Sequence, residues 1–212
     1  MKKARIFLTD DHTMLVDAFR RLLEQEFEIV GTASDGLELL ESAPNLRPDL
    51  VIVDLGLPLL NGMDAGRELK KLLPQTRILV VTVNEDPAVA DEALREWASG
   101  YLLKKCTGSE LVHAVRELLM GRSYVTTMVS RRSTEGLMSQ PGAHHQKSLT
   151  PRQRQVLQLL AEGRTMKEAA YLLNLTERTV AFHKYRIMEG LGIHSNSDLV
   201  RLAIREHLVP MV

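Results

Sequence analysis

Apolar and polar residues alternate along the chain in two regimes. In the first regime, short apolar runs are separated by stretches with helical spacing. Arg5 to Thr9 reads as a strand, and Leu15, Phe19, Leu22 and Leu23 then recur at helical intervals. Glu28 to Gly31 is a short strand, followed by a helix carrying Leu37 to Leu40 that Pro44 is expected to end. Leu50 to Asp54 is a continuous apolar strand closing on an acid. A helix marked by Ala65, Leu69, Leu72 and Leu73 follows and stops at Pro74. Ile78 to Thr82 and Gly100 to Leu103 are two more buried strands. Between them a helix carries Val89, Ala93, Leu94 and Trp97, with Pro87 in its first turn. Ser109 is the expected N-cap of a last helix carrying Leu111, Val115, Leu118 and Leu119, with Gly121 as its stop. Unbroken apolar strands alternating with helices predict an α/β doubly wound, parallel five-stranded sheet covered on both faces, over residues 1–122.

The second regime, residues 148–212, is helical throughout. Thr150-Pro151, Thr165, Thr176, and Ser195 or Asn196 each supply an N-cap in front of an apolar repeat. The repeats are Val156/Leu157/Leu159/Leu160, Ala169/Ala170/Leu172/Leu173, Val180/Ile187/Leu191 and Leu199/Leu202/Ala203/Leu208. The polar turn Asn174-Leu175-Thr176 between the second and third repeats fits a small all-α helix-turn-helix domain. Between the regimes, residues 123–147 are rich in Ser, Arg, Gly, Gln and His and keep neither period, as expected of a linker. Val125 to Val129 could dock on a neighbour.

Composition narrows the function classes. Of 212 residues, 44% are hydrophobic and 25% charged, which describes a folded chain, and aromatics at 4% leave the cores to aliphatic side chains. No apolar run approaches the roughly 18 residues of a membrane span. The first apolar run stops at Asp10, too early for a secretory signal. Cys106 is alone, so an internal disulfide and a cysteine zinc site are both excluded. His144 and His145 have no cysteine or carboxylate near them in sequence and read as solvated. A soluble cytoplasmic protein is expected. The formal net charge of zero conceals an uneven distribution: −5 over residues 1–122, +2 over the linker and +3 over residues 148–212. The acidic part could hold a cation and the basic part could approach a polyanion.

An open parallel sheet places its functional crevice at the carboxyl ends of its strands. Asp10 and Asp11 follow the first strand, Asp54 closes the third, Thr82 ends the fourth and Lys104 follows the fifth. Carboxylates gathered in one place repel unless a cation joins them, and Mg2+ suits an all-oxygen site. These residues, with the segments Asp54-Leu-Gly-Leu-Pro58, Asn61-Gly62 and Gly100-Tyr-Leu-Leu-Lys104, closely resemble the receiver domain of bacterial two-component response regulators over about residues 4–121. The resemblance implies that Asp54 accepts a phosphoryl group from a sensor histidine kinase. It implies that Asp11, Asp54 and the Gly56 carbonyl hold Mg2+, with Asp10 acting through water. Thr82 and Lys104 would hold phosphoryl oxygens, and Tyr101 would turn inward as a switch partner of Thr82. Two positions depart from the pattern. Val83 stands where a small residue is usual and is expected to slow entry of small phosphodonors. Lys105 stands where proline or an acid is frequent and adds a cation.

Leu149 to Leu157, Ala161-Glu-Gly163 and Thr176-Glu-Arg-Thr-Val180 with His183 resemble the LuxR-type (NarL/FixJ) helix-turn-helix over about residues 148–209. The resemblance implies that Thr176 to about Gly190 form a recognition helix in the major groove of double-stranded DNA. Arg178 is expected on phosphate, and Thr179, Lys184, Tyr185 and Arg186 are the other expected contacts. Arg178, Ala181, Phe182, Lys184, Tyr185 and Arg186 are expected to be exposed, while Val180, Ile187 and His183 are assigned to packing. Ala181 replaces a common polar base reader and can touch only a thymine methyl. Gly190 is expected to interrupt the helix end. The resemblance implies that the apolar stripe of the fourth helix supports a homodimer on inverted half-sites, and a plain core stripe is the alternative. The expectation is a phosphorylation-controlled transcription regulator and not an enzyme. The alternative is a regulator that binds DNA without phosphorylation, its receiver serving as a dimerisation or partner module. A phosphohydrolase on the same sheet would need a further acid or base near Asp54, and the sequence places none there.

Overall fold

The structure, a computed structural model, describes residues 3–126 and 149–209. The chain divides into two compact units. The first alternates β1 (Arg5–Thr9), α1 (Thr13–Leu23), β2 (Glu28–Ala33), α2 (Gly36–Leu46), β3 (Leu50–Val53), α3 (Gly62–Leu72), β4 (Arg77–Thr82), α4 (Pro87–Glu96), β5 (Gly100–Leu103), α5 (Gly108–Leu119) and β6 (Tyr124–Val125). All pairings are parallel, in the order β2-β1-β3-β4-β5-β6.

The side-chain period of two divides each strand between two cores. Ile6, Leu8, Leu50, Ile52, Leu79, Val81 and Leu102 pack with Phe19 and Leu23 of α1 and Leu111, Val115 and Leu118 of α5. The alternate residues Phe7, Val51, Val53, Ile78, Val80 and Tyr101 point to the opposite face and are equally buried. Burial on both faces is why these strands read as unbroken apolar runs.

The expected five-stranded sheet is corrected to six. Tyr124 and Val125, expected in the linker, pair with Gly100 and Tyr101 of β5. Two residues carry no measurable period, so nothing in the sequence marked them as a strand. Gly100 makes the pairing possible: a Cβ there would stand 2.8 Å from the Tyr124 carbonyl oxygen. Two helix expectations also change. Pro44 lies inside α2, which continues to Leu46 and ends on Arg47 in the left-handed region (φ 46°). A proline in the last turn removes only one ladder hydrogen bond, and buried Leu39 and Ala43 hold that helix down. The N-cap of α5 is Thr107, whose side chain accepts from the Glu110 amide, whereas Ser109 lies within the first turn.

The second unit holds α6 (Pro151–Ala161), α7 (Met166–Leu172), α8 (Glu177–Leu191) and α9 (Asn196–Arg205). Its helix starts follow the sequence signals. Thr150 with Gln153 and Thr165 with Glu168 form capping boxes, Thr176 caps α8, and Ser195 caps α9. Asn174 takes the left-handed conformation (φ 53°) in the α7–α8 turn, which asparagine tolerates and β-branched residues do not. Val156, Leu159, Ala169, Leu173 and Val180 form one core cluster. Leu157, Ile187, Leu199, Leu202, Ala203 and Leu208 form a second. Val180 and Ile187 are two helical turns apart on α8, so this helix is anchored in both. Among the described residues no helix is long and apolar enough to cross a membrane. His144 and His145 lie outside the described residues, as do Thr127 to Val129.

Candidate functional site

Parallel pairing brings the strand ends of the first unit to one edge. Thr9 is paired with Val53, and Thr82 with Leu103, so the next residues, Asp10, Asp54 and Lys104, leave the sheet side by side. The backbone continues the ladder for one more step. The Asp54 amide donates to the Thr9 carbonyl (3.0 Å) and the Lys104 amide to the Thr82 carbonyl (2.9 Å). The loop after Asp54 returns tightly: the Gly62 amide donates to the Leu55 carbonyl (3.0 Å). A Cβ on Gly62 would lie 2.0 Å from the Asp54 carbonyl oxygen. That close approach is the physical reason for a glycine at the start of α3.

The Lys104 ammonium bridges two carboxylates, 2.7 Å from Asp10 Oδ2 and 2.9 Å from Asp54 Oδ2. All three side chains are largely withdrawn from water, Asp54 being 4% exposed. Burial raises the Asp54 carboxyl above the ordinary aspartate range, although Lys104 opposes it. Burial pulls the Lys104 ammonium down, but the Asp54 and Asp10 carboxylates outweigh it and the net shift is upward. The second oxygen of Asp54, Oδ1, is buried and makes no hydrogen bond. Asp10, Asp11, His12 and Asp54 each offer a ligand atom, all within 4.8 Å of one another, so this acidic cluster could hold a metal ion. An orphaned buried carboxylate oxygen beside further carboxylates fits a hard divalent cation.

Thr82 is buried at the same edge, and its Oγ1 accepts from the Asn84 amide (3.2 Å). Tyr101 lies on the sheet face with its ring fully buried, and its hydroxyl donates to the Asn84 carbonyl oxygen (2.8 Å). Burial, with the Asp86 and Asp54 charges, raises its phenol far above the usual range, so it stays a donor. Tyr101 therefore already occupies the inward position that the resemblance attached to phosphorylation. Asn84, which sequence reasoning did not single out, joins Thr82 to Tyr101 through one residue. His12 was also missed, and its adjacency to Asp10-Asp11 was the only available signal. Gly56 sits against the site, a Cβ there falling 3.3 Å from Asp54 Oδ2. Val83 is 72% exposed. Lys105 is engaged with Glu85 on the surface.

In the second unit α8 presents Arg178, Phe182, Tyr185 and Arg186 to solvent. Thr179 is half-buried, and its Oγ1 lies 2.9 Å from Thr176 Oγ1, within the helix cap. Ala181 and Lys184, expected to be exposed, are half-buried. Phe182 is 59% exposed, and the Arg186 guanidinium stands 5.8 Å from its ring centroid. The pair makes a cation–π shelf that no individual residue signalled in the sequence. Val180 and Ile187 are buried, while His183 is half-buried. Gly190 does not interrupt α8, which runs to Leu191 and closes on Gly192 (φ 64°).

Comparison with known proteins decides the family. The response regulator receiver domain matches residues 6–116, and the luxR family of bacterial regulatory proteins matches residues 147–203. The chain is a LuxR-family response regulator. Similar proteins match along nearly their whole length. A putative transcriptional regulator of Pseudomonas aeruginosa is 36% identical, covering 97% of this chain and 100% of its own. The transcriptional regulatory protein MctR of Rhizobium johnstonii is 30% identical, covering 99% and 97%. The oxygen regulatory protein NreC of Staphylococcus aureus is 30% identical, covering 97% and 99%. Among solved structures, the response regulator RcsB of Salmonella typhimurium is similar at a TM-score of 0.65 and 27% identity, covering 95% and 97%. RcsB has also been solved bound to DNA, and that chain matches at a TM-score of 0.59 and 27% identity, covering 94% and 97%. This response regulator thus pairs a receiver with a LuxR-type DNA-binding domain, the organisation of transcriptional regulators in two-component systems.

Proposed function

We propose that this response regulator acts in the cytoplasm, not as a turnover enzyme but as a phosphorylation-gated switch on double-stranded DNA. Asp54 carries the reading: a buried carboxylate with one oxygen held by Lys104 and the other, Oδ1, without a partner. Oδ1 is the nucleophile. It attacks phosphorus on a phosphohistidine of the kinase, the P–N bond breaks, imidazole leaves, and Asp54 becomes an acyl phosphate. Asp10, Asp11, Asp54 and the Gly56 carbonyl would hold Mg2+, which when bound neutralises charge on the transferring group. Lys104 remains beside Asp54 to pair with a phosphoryl oxygen, and Thr82 offers its hydroxyl to another. Once Thr82 turns toward the phosphoryl group, the Asn84 amide loses its acceptor. The strain passes to the peptide that holds the Tyr101 hydroxyl.

On the output side, Arg178, Tyr185 and Arg186 of α8 are the proposed DNA contacts, with Lys184 reaching from a half-buried position and Thr179 acting through the helix cap. Relatives that bind DNA as dimers, as RcsB does, support a homodimer of this chain on paired half-sites. A small-molecule phosphodonor with Mg2+ should label the wild-type chain with one acid-stable, hydroxylamine-labile phosphoryl group and leave Asp54→Ala unlabelled. Equal labelling of both proteins would remove Asp54 from the reaction.

One observation favours a second reading. Tyr101 is already buried with its hydroxyl bonded, so a receiver held in the switched arrangement could support DNA binding without phosphorylation. Under that reading Asp54→Ala binds DNA as well as wild type does.

A further inference from the structure

Gly190 lies in the last turn of α8, and nothing in the fold calls for it. A Cβ built there meets no atom within 4 Å, and its φ is not in the left-handed region. Glycine weakens a helix relative to alanine, so the missing side chain costs stability without relieving a contact. Glycine also stands where another molecule comes close to the backbone. Space for one exists beside it: a cavity of about 510 Å3, a size common among small-molecule sites.

Leu149, Ile187 and Leu191 give this cavity an apolar wall, and Gln153, Arg186 and Glu189 give it polar groups. Arg186 and Glu189 stand three residues apart on α8, a spacing at which opposite charges can pair. Among the described residues neither makes an ion pair, and Arg186 leans on the Phe182 ring instead. The Gln153 side-chain oxygen accepts from the Thr150 amide (2.9 Å), which fixes the side chain and leaves its NH2 to donate. The last turn of a helix favours a positive group, here beside Glu189.

We propose that this cavity binds a small zwitterion with an apolar body, of the class of the apolar α-amino acids, and that its occupation withdraws Arg186 from DNA. Arg186 and Gln153 take the carboxylate, and Glu189 with the helix end takes the ammonium. Leu149, Ile187 and Leu191 take the apolar side chain, and Gly190 lets the ligand approach the helix backbone. The binding site stands apart from the function proposed above; its effect on DNA rests on the Arg186 contact proposed there.

The test uses the 15N-labelled full chain with L-leucine as probe, followed by amide chemical shifts. The single-charge analogues 4-methylpentanoate and 3-methylbutylamine are the controls. We expect saturable shifts over residues 186–191 and at the Gln153 side chain, with a Kd below about 1 mM. Each analogue should bind at least about 10-fold more weakly, because half of the charge recognition is lost. Gly190→Leu, which projects a side chain into the cavity, and Arg186→Gln should each weaken leucine binding by a similar factor, with melting curves showing both folded. Saturating leucine should weaken operator binding at least about 3-fold in wild type and leave Gly190→Leu unaffected. Absence of saturable shifts at these residues, unchanged binding in both variants, or equal binding of the analogues would overturn the site. Leucine binding with unaltered operator affinity would overturn only its effect on DNA. Should Arg186→Gln bind operator as wild type does without leucine, the proposed DNA contact fails and the binding site stands.

Discussion

At the residue scale, the receiver site is a balance of buried charges. Lys104 is the only described cation within ion-pair distance of Asp10 and Asp54 apart from His12 when protonated. Removing one partner of a buried ion pair leaves the others uncompensated. Lys104→Ala should therefore destabilise the chain by about 3 kcal/mol in metal-free urea unfolding, and divalent cation should recover part of the loss. An unchanged midpoint would mean that water already solvates these carboxylates. The meeting of Asp10, Asp54, Thr82 and Lys104 was legible in sequence because each ends or directly follows a strand, and parallel topology fixes where strand ends meet. What was not legible depended on rotamers. Nothing in the residue order says that the His12 ring turns toward Asp10 and Asp11, or that Tyr101 and Thr82 both find Asn84.

At the element scale, turns and caps set the geometry. Gly62 lets α3 start against the Asp54 carbonyl, and any Cβ there collides with backbone rather than with a side chain that can move. Gly62→Ala should cost roughly 2 kcal/mol or more, in the range of overpacking and backbone strain. It should also slow phosphorylation, and a phosphorylation time course beside a melting curve checks both. The helix caps of the second unit were readable because Ser and Thr side chains satisfy exposed backbone amides at defined positions, whereas at α5 Thr107 takes the cap expected of Ser109. Strand β6 and the end of α2 were not legible. The first is shorter than any detectable period, and the second depends on packing that overrides a proline. On α8, burial and the nearby Arg152 guanidinium hold the His183 imidazole below its usual range. Its unfolded form thus takes up a proton before its folded form does. The neutral-His183 contribution is present above about pH 6.5 and is lost as pH falls through the folded value. His183→Gln should flatten the decline of urea midpoint between pH 7 and 5. An identical pH profile in variant and wild type would show that His183 does not contribute.

At the scale of the whole molecule, two units of opposite charge balance share one chain. The acidic receiver suits a cation and a phosphoryl group, and the basic unit suits a polyanion. That division was visible in the charge distribution before any fold was known. The receiver and DNA-binding matches then fixed the family. Control of the second unit by the first is the central claim, and DNA affinity tests it most directly. Affinity of the full chain for its operator would be measured at fixed salt, since phosphate contacts make binding salt-dependent. Wild type and Asp54→Ala would be compared with and without a phosphodonor and divalent cation. The account predicts that the donor tightens wild-type binding at least about 10-fold, a coupling of roughly 1.4 kcal/mol, and leaves Asp54→Ala unchanged. Equal affinity in all four conditions would contradict it and leave a receiver that acts without phosphorylation.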